Sequence, residues 1–550
     1  MAKVLPARPA LYGQKIKKAA PPSPSVPISI QPVPAATGGV SSARSIGSAA
    51  PGFAQVIENG FPTQTGVRPR GGLRRQATTG TRAVKSLMTY KSGPFQSMFA
   101  VANGSIYDVT DPADPLVAPT ASASGKTSSD YVSVNFSTAG GTFMICVNGA
   151  DLHLTYDGTN FAVNTPAITV GTSSTFSFVW AYASRLWFIQ KDTLTVWYLP
   201  VDSIGGAATA LSLKGIFPKG GSLKFGGTWS SDTGSGLNEK IVFVSTTGEC
   251  AVFTGTDPSS STTWSRVGVY DVSMPLGRKA SRNIGGDLLI TTVNGIVPLS
   301  LAVTKSASDL SISAVTKEIN PAWKAIAAIY RAQEWSLTEW PEKNLMMVAF
   351  AGAYTLTGGT TDVIDSTPTA YIVNLETGAW NSSYTGWDVQ CSTYFNGKMY
   401  FGSANGRVYE AEKTGSDDGV AYVFRYLEWP DGMGNEATKE FLQARSTFTY
   451  SQPFNAQVTI SVNHNVTWPP APAAAGNSTT GGYWDLGDDW DLGGTWDSTP
   501  NRITQSLWRS LGRTGYRGAI QIQMTINNTA APDVEIVSND VAYRQGAVVT

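Results

Sequence analysis

Histidine, the side chain that most often moves protons near neutral pH, occurs only twice in these 550 residues, at His153 and His464. The two fall in different candidate domains, and His153 sits beside a hairpin signal, where a packed imidazole is the expected state. The three cysteines, Cys146, Cys250 and Cys391, lie far apart in apolar, strand-like runs and form no CxxC. Buried free thiols fit that pattern better than disulfides, metal ligands or nucleophiles. No GxSxG, HExxH or EF-hand spacing appears. Gly125-Lys126-Thr127 has the ending of a phosphate loop, but Thr120 stands where that loop needs glycine. Asp485, Asp488, Asp489 and Asp491 gather carboxylates that suit a hard cation, without the ligand spacing of a calcium loop. No metal, cofactor or catalytic group is therefore expected. Glycoside hydrolysis needs only two carboxylates, and 40 acidic residues always offer a pair, so that alternative stands without a motif of its own.

The residues that suggest binding are of other kinds. From Met1 to Tyr107 there are 13 Lys or Arg against one acid, Glu58, although the whole chain has zero formal net charge. Such asymmetry describes a basic end that docks on something acidic and a mildly acidic body. Within it, Arg68, Arg70, Arg74 and Arg75 cluster in GVRPRGGLRRQ. Arginine holds carboxylates in fixed bidentate pairs, and Gly71 and Gly72 let the backbone bend so that both arginine pairs reach one partner. Aromatics for base stacking are scarce before Phe95, so protein subunits rather than DNA are the expected partner. Near the other end, Trp484, Trp490 and Trp496 recur every six residues in YWDLGDDWDLGGTWD. Tryptophans at that spacing read as interface anchors, with sugar stacking as the competing use.

The elements that must position these residues are strands. Charged residues make up 15% and apolar ones 42%, with 56 Gly, 16 Trp, 21 Tyr and 21 Phe, a composition of tight turns between large-side-chain strands. From about 85 to 420 one unit recurs: apolar strand, tight turn, apolar strand, then an Asp/Gly/Pro loop. The turns fall at Asn103-Gly104, Asn148-Gly149, Asp192-Thr193, Thr247-Gly248, Asn294-Gly295, near Gly358-Gly359, and at Asn405-Gly406. One hairpin every 44 to 64 residues is the spacing of propeller blades, small sheets that bury both faces only by stacking around an axis. A helix is expected in EINPAWKAIAAIYRAQEW, capped by Asn320, with Pro321 first and Trp323, Ile326, Ile329 and Tyr330 on one face. Beyond 420, QVTISVN and AIQIQMTI alternate apolar and polar residues as half-buried strands do.

The expected fold is thus all-β, a β-propeller of six or seven blades with an additional antiparallel sheet or sandwich. The chain divides into a Pro-rich basic arm (1–52), a basic docking segment (53–84), the propeller (85–420) and a C-terminal sheet domain (421–550). The arm has nine prolines and no acid, and needs a neighbour's surface to lie on. No apolar run reaches the length of a membrane span, and the N-terminus lacks the apolar stretch of a secretion signal.

In order of features the chain resembles the tail nozzle proteins (tail tubular protein B) of short-tailed bacteriophages. The resemblance begins at ENGFPTQTGVRPRGGLRRQA (58–77) and continues through FAVANGSIYDVTD, GTFMICVNG and ASRLWFIQKDTLTVWYLPVD. KEINPAWKAIAAI followed by LMMVAF is similar to a helix-like crossing in the same relative place. GYRGAIQIQMTINN and VEIVSNDVAYR resemble the closing sheet. The resemblance implies a structural virion protein assembled in the host cytoplasm, a hexameric ring below portal and adaptor. It implies that fibres or spikes attach outside and that DNA passes through the channel without specific binding. A propeller scaffold for proteins or glycans, or a propeller glycoside hydrolase, is the alternative.

Overall fold

The computed structural model describes residues 27–44, 52–230, 239–305, 309–310, 314–351, 370–475 and 502–546. Within these residues, seven antiparallel sheets follow one another along the chain. Sheet 1 spans Val84–Ser92 to Ala121–Ala123, sheet 2 Val132–Thr138 to Phe161–Val163, and sheet 3 Phe176–Tyr182 to Thr209–Ser212. Sheet 4 spans Leu223–Ser230 to Ser265–Asp271, sheet 5 Ser281–Ile284 to Gly295–Pro298, and sheet 6 Trp335–Trp340 to Ala370–Asn374. Sheet 7 takes three strands from Cys391–Phe395 to Arg407–Thr414 and a fourth from far back in the chain, Gly72–Thr78.

Hydrophobic patterning explains why these sheets stack. Strands such as Leu345–Phe350 (LMMVAF) and Ala370–Asn374 (AYIVN) are buried at every residue, on both faces, rather than at alternate ones. Each sheet is therefore covered on two sides. Separate apolar clusters fill the junctions of sheets 7 and 1, 1 and 2, 5 and 6, and 6 and 7, and one large cluster runs through sheets 2 to 5. The first strand of each sheet is its inner strand. These touch in order from sheet 1 to sheet 7, with Leu223–Ser230 of sheet 4 meeting Asp287–Thr292, the second strand of sheet 5, and Cys391–Phe395 of sheet 7 touches Val84–Ser92 of sheet 1.

Five of the expected turns join the second and third strands of their sheets closely. At Asn103-Gly104 both residues take positive φ (49° and 69°), as a type I′ turn requires. Asn148-Gly149 instead opens a longer loop, since the next strand starts at Leu154 and the Asn148 Oδ1 accepts from the Ala150 and Asp151 amides. Gly358-Gly359 lies outside the described residues. The helix forms at Asn320–Tyr330, but Asn320 is already helical (φ −54°, ψ −42°), so it is not the cap. Its buried face is Trp323, Ala327 and Tyr330, whereas Ile329 is exposed, because the i, i+4, i+7 row meets the core.

Two further sheets enclose a separate core. One pairs Ala54–Glu58, Tyr422–Glu428, Gly518–Ile526 and Ala456–Val462; the other carries Gly60–Pro62, Val67–Pro69, Val534–Gln545, Lys439–Tyr450 and Ile503–Gly515. Ile28–Pro34 lies on Val534–Gln545. The expected boundaries therefore shift. Residues 53–84 are no separate docking segment: 54–69 complete the C-terminal unit and 72–78 complete sheet 7. The described part of the arm, 27–44, lies on its own chain. Val40 N–H donates to Trp380 O, and Arg44 pairs with Glu318.

Candidate functional site

The four arginines of the 66–76 stretch go to four different partners inside the chain. Arg68 pairs with Asp533 of the C-terminal unit at 2.8 Å. Arg74 pairs with Glu410, and Arg75 with Asp418, both across or beside the pairing that completes sheet 7. Arg70 has no exposed surface at all. Its guanidinium binds both Asp417 oxygens at 2.7 and 2.8 Å, donates to Asn59 Oδ1, Gly71 O and Thr385 O, and lies 3.9 Å from the Tyr422 ring centre. Such a buried charge is tolerable only because all its donors are used. The expected role of Arg70 in contacting another subunit is thus corrected: nothing of it reaches a surface.

Gly71 and Gly72 serve close packing rather than bending. A Cβ on Gly71 would stand 2.7 Å from Glu412 Cα, and one on Gly72 would stand 2.1 Å from Ser416 O. Both contacts are with the 412–416 backbone at the end of sheet 7, and any side chain would push the two segments apart.

Beside this junction opens a cleft of about 590 Å³. Its walls include Glu58 and Arg425 from the C-terminal unit, and Arg75, Asp388, Arg407 and Asp418 from around sheet 7. Most of these charges answer one another. Arg425 lies 3.3 Å from Glu58, Arg407 lies 3.8 Å from Asp418, and Asp388 accepts the Ala404 N–H at 2.6 Å. The aromatic residues on the wall, Tyr409 and Tyr422, are buried and offer no open ring face. Among the described residues, the one carboxyl that burial raises strongly, Glu428 at about 8, lies between the two C-terminal sheets and lines no part of the cleft.

A second polar constellation lies where the starts of the inner strands converge. Arg278 and Lys279, preceding sheet 5, both bind Asp130, which precedes sheet 2. Burial opposes ionisation of Asp130, but Lys279 and Arg278 outweigh it and take its pKa down to about 2. Arg278 also donates to Ser177 O of sheet 3, and its amide donates to Glu334 before sheet 6. Lys279 reaches Ser86 of sheet 1 at 3.0 Å, and Lys224 of sheet 4 reaches Glu334 at 3.3 Å. Lys85 donates to Gln390 at the start of sheet 7. One continuous network thus touches all seven sheets. Sequence reasoning missed it because its members are scattered over 300 residues with no common motif.

The remaining expectations fall as follows. His153 is buried, and burial holds its imidazole below the usual range, the Pro166 backbone acting against that. His464 is an exposed turn residue with φ 62°. All three cysteines are free and buried, and burial raises each thiol, that of Cys391 to about 11. Among the described residues no acid, cysteine or histidine cluster could hold a metal, and no helix is long and apolar enough to cross a membrane. Trp484, Trp490, Trp496 and the Asp485–Asp491 loop lie outside the described residues.

No family model matches this chain, and no curated protein does. Among solved structures it is similar to the computationally designed Ika8 protein, at 8% identity over 62% of this chain and 99% of that one, with a TM-score of 0.32. It is similar to Saccharomyces cerevisiae Sqt1, at 11% identity over 62% and 98%, TM-score 0.35. It is also similar to YCF48 bound to D1 peptide, at 11% identity over 62% and 95%, TM-score 0.36.

Proposed function

We propose that this chain is a structural subunit of the tail nozzle of a short-tailed bacteriophage, a seven-bladed β-propeller joined to a two-sheet C-terminal unit. Copies form a hexameric ring between the portal and adaptor and the distal tail, in the virion, with fibres or spikes outside. The observation that carries this reading is the course of 58–77, where the resemblance begins. That stretch completes the C-terminal unit, threads the junction through Arg70, and then supplies the last strand of sheet 7. It ties the two units together at one junction, as a load-bearing ring subunit needs. The network across the inner strands favours a propeller axis filled by side chains, so DNA would pass between copies rather than through one propeller. Paired carboxylates and raised thiols favour a non-enzymatic role.

Negative-stain imaging of the purified chain tests the reading: six-fold rings are expected, and a monomer at every concentration would sink it. The cleft favours a second reading, a propeller scaffold for a charged protein loop or a glycan. Saturable binding to a glycan array by a monomeric chain would select it.

A further inference from the structure

Among the described residues, one strand of the C-terminal unit has a neighbour on a single side along its whole length. Ile503–Gly515 runs 13 residues and pairs only with Lys439–Tyr450. The outer strands of sheets 1 to 4 run just 3, 3, 4 and 7 residues. Short outer strands keep sheets from pairing with strangers, and this long strand lacks that protection and contains no proline. Arg509 and Arg513 on it are exposed and have no ion pair among the described residues.

The opposite edge of the same sheet is the arm strand, Ile28–Pro34, laid on Val534–Gln545. Ile28, Arg544, Glu440 and Thr514 form one row across four strands, and Pro34, Ser538, Thr447 and Ser506 form another. All three pairings are antiparallel, so the two edge strands run in opposite directions. Both edges present apolar side chains to solvent: Ile28, Ile30, Ile503 and Trp508 are each 40% to 58% exposed. A second copy's arm strand placed beside Ile503–Gly515 continues the antiparallel alternation, with Ile28 and Ile30 on the face of Trp508 and Val33 on the opposite face, that of Ile503.

We propose that copies of this chain join head to tail here, the arm strand of one extending the sheet of the next along Ile503–Gly515. Pro32 and Pro34 lack the N–H, so the new ladder is short and the apolar side chains carry much of the contact. Such a contact uses two different surfaces, so it closes into a ring when its rotation allows. The inference rests on the ring reading and gives it a specific joint.

The test uses the full chain and two double variants, Ile28→Asp with Ile30→Asp, and Ile503→Glu with Trp508→Glu. All four positions are exposed, and unchanged thermal unfolding confirms the fold. Native mass spectrometry should find oligomers for the wild type and at least tenfold weaker association for each variant alone. An equimolar mixture should give a dimer and nothing larger, because one intact arm and one intact edge remain. Variants that assemble as the wild type does overturn the joint while leaving the ring reading standing. So does a mixture without dimer. A wild type that stays monomeric defeats both.

Discussion

Arg70 and Glu428 are two buried charged-type residues that the fold treats in opposite ways. Arg70 keeps its charge because Asp417 faces it with both oxygens and every other donor finds an acceptor. Arg70→Ala leaves Asp417 uncompensated at the junction, and urea denaturation should read a loss of about 3–5 kcal/mol. Glu428 has no cation beside it. Burial raises it to about 8, against hydrogen bonds from Asn539 and Tyr426 and the Ile520 amide, while Asp431 adds to the rise. Its proton is therefore held in the folded state and released in the unfolded state between about pH 4.5 and pH 8. Stability must fall as pH rises through that window and level off above it. Glu428→Gln keeps the Asn539 contact without the ionisable proton. It should flatten that fall and leave the variant more stable than wild type at pH 8, by up to about 4 kcal/mol, from 1.36 kcal/mol per unit. A parallel pH dependence of the two proteins would refute the assignment. The four clustered arginines show why such detail was not legible in the sequence. Their spacing marked them as pair-forming residues, which they are, but neighbours in a strand point in different directions, and each found its own acid 336 to 465 residues away.

At the scale of elements, the repeat was legible because its signal is local. A type I′ turn needs two residues of positive φ, and Asn103-Gly104 supplies them whatever lies around it. The closing strand was not legible, because its partner lies more than 300 residues on and its own residues, GLRRQAT, read as part of a basic docking segment. In place, Leu73 and Ala77 are buried and Ala77 faces Val408, so the strand is held by a ladder and by its apolar side. Ala77→Pro removes an N–H from that ladder and destabilises the strand's pairing with Arg407–Thr414. Hydrogen exchange should then quicken at Arg407–Thr414, and the amides of sheets 3 and 4 should keep their protection. Equal acceleration in every sheet would mean that the strand does not act as a local clasp. The helix shows the converse limit: its period was readable, yet which row met the core depended on Trp335 and Tyr371 packing around Trp323.

Across the whole molecule, the polar network at the inner strands decides whether seven stacked sheets behave as one body. Neighbouring sheets share apolar cores, but those contacts link each sheet only to the next. Asp130 links across: from sheet 2 it holds two cations of sheet 5, one of which reaches sheet 1 and the other sheets 3 and 6. Asp130 is about a quarter exposed, so solvent screens part of the attraction. Asp130→Asn removes the charge while keeping the shape, and the expected loss at pH 7 is about 2 kcal/mol, below that of a fully buried pair. The pH dependence distinguishes charge from packing. The folded pKa, about 2, lies below the unfolded value near 3.8, so the carboxylate contributes fully above about pH 4. That contribution then decays as pH falls toward 2. The gap between wild type and Asp130→Asn in urea midpoint should accordingly be widest at pH 6 to 7 and narrow at pH 3. A gap that stays constant with pH would show that Asp130 acts through packing, and that the sheets are held together by their apolar junctions alone.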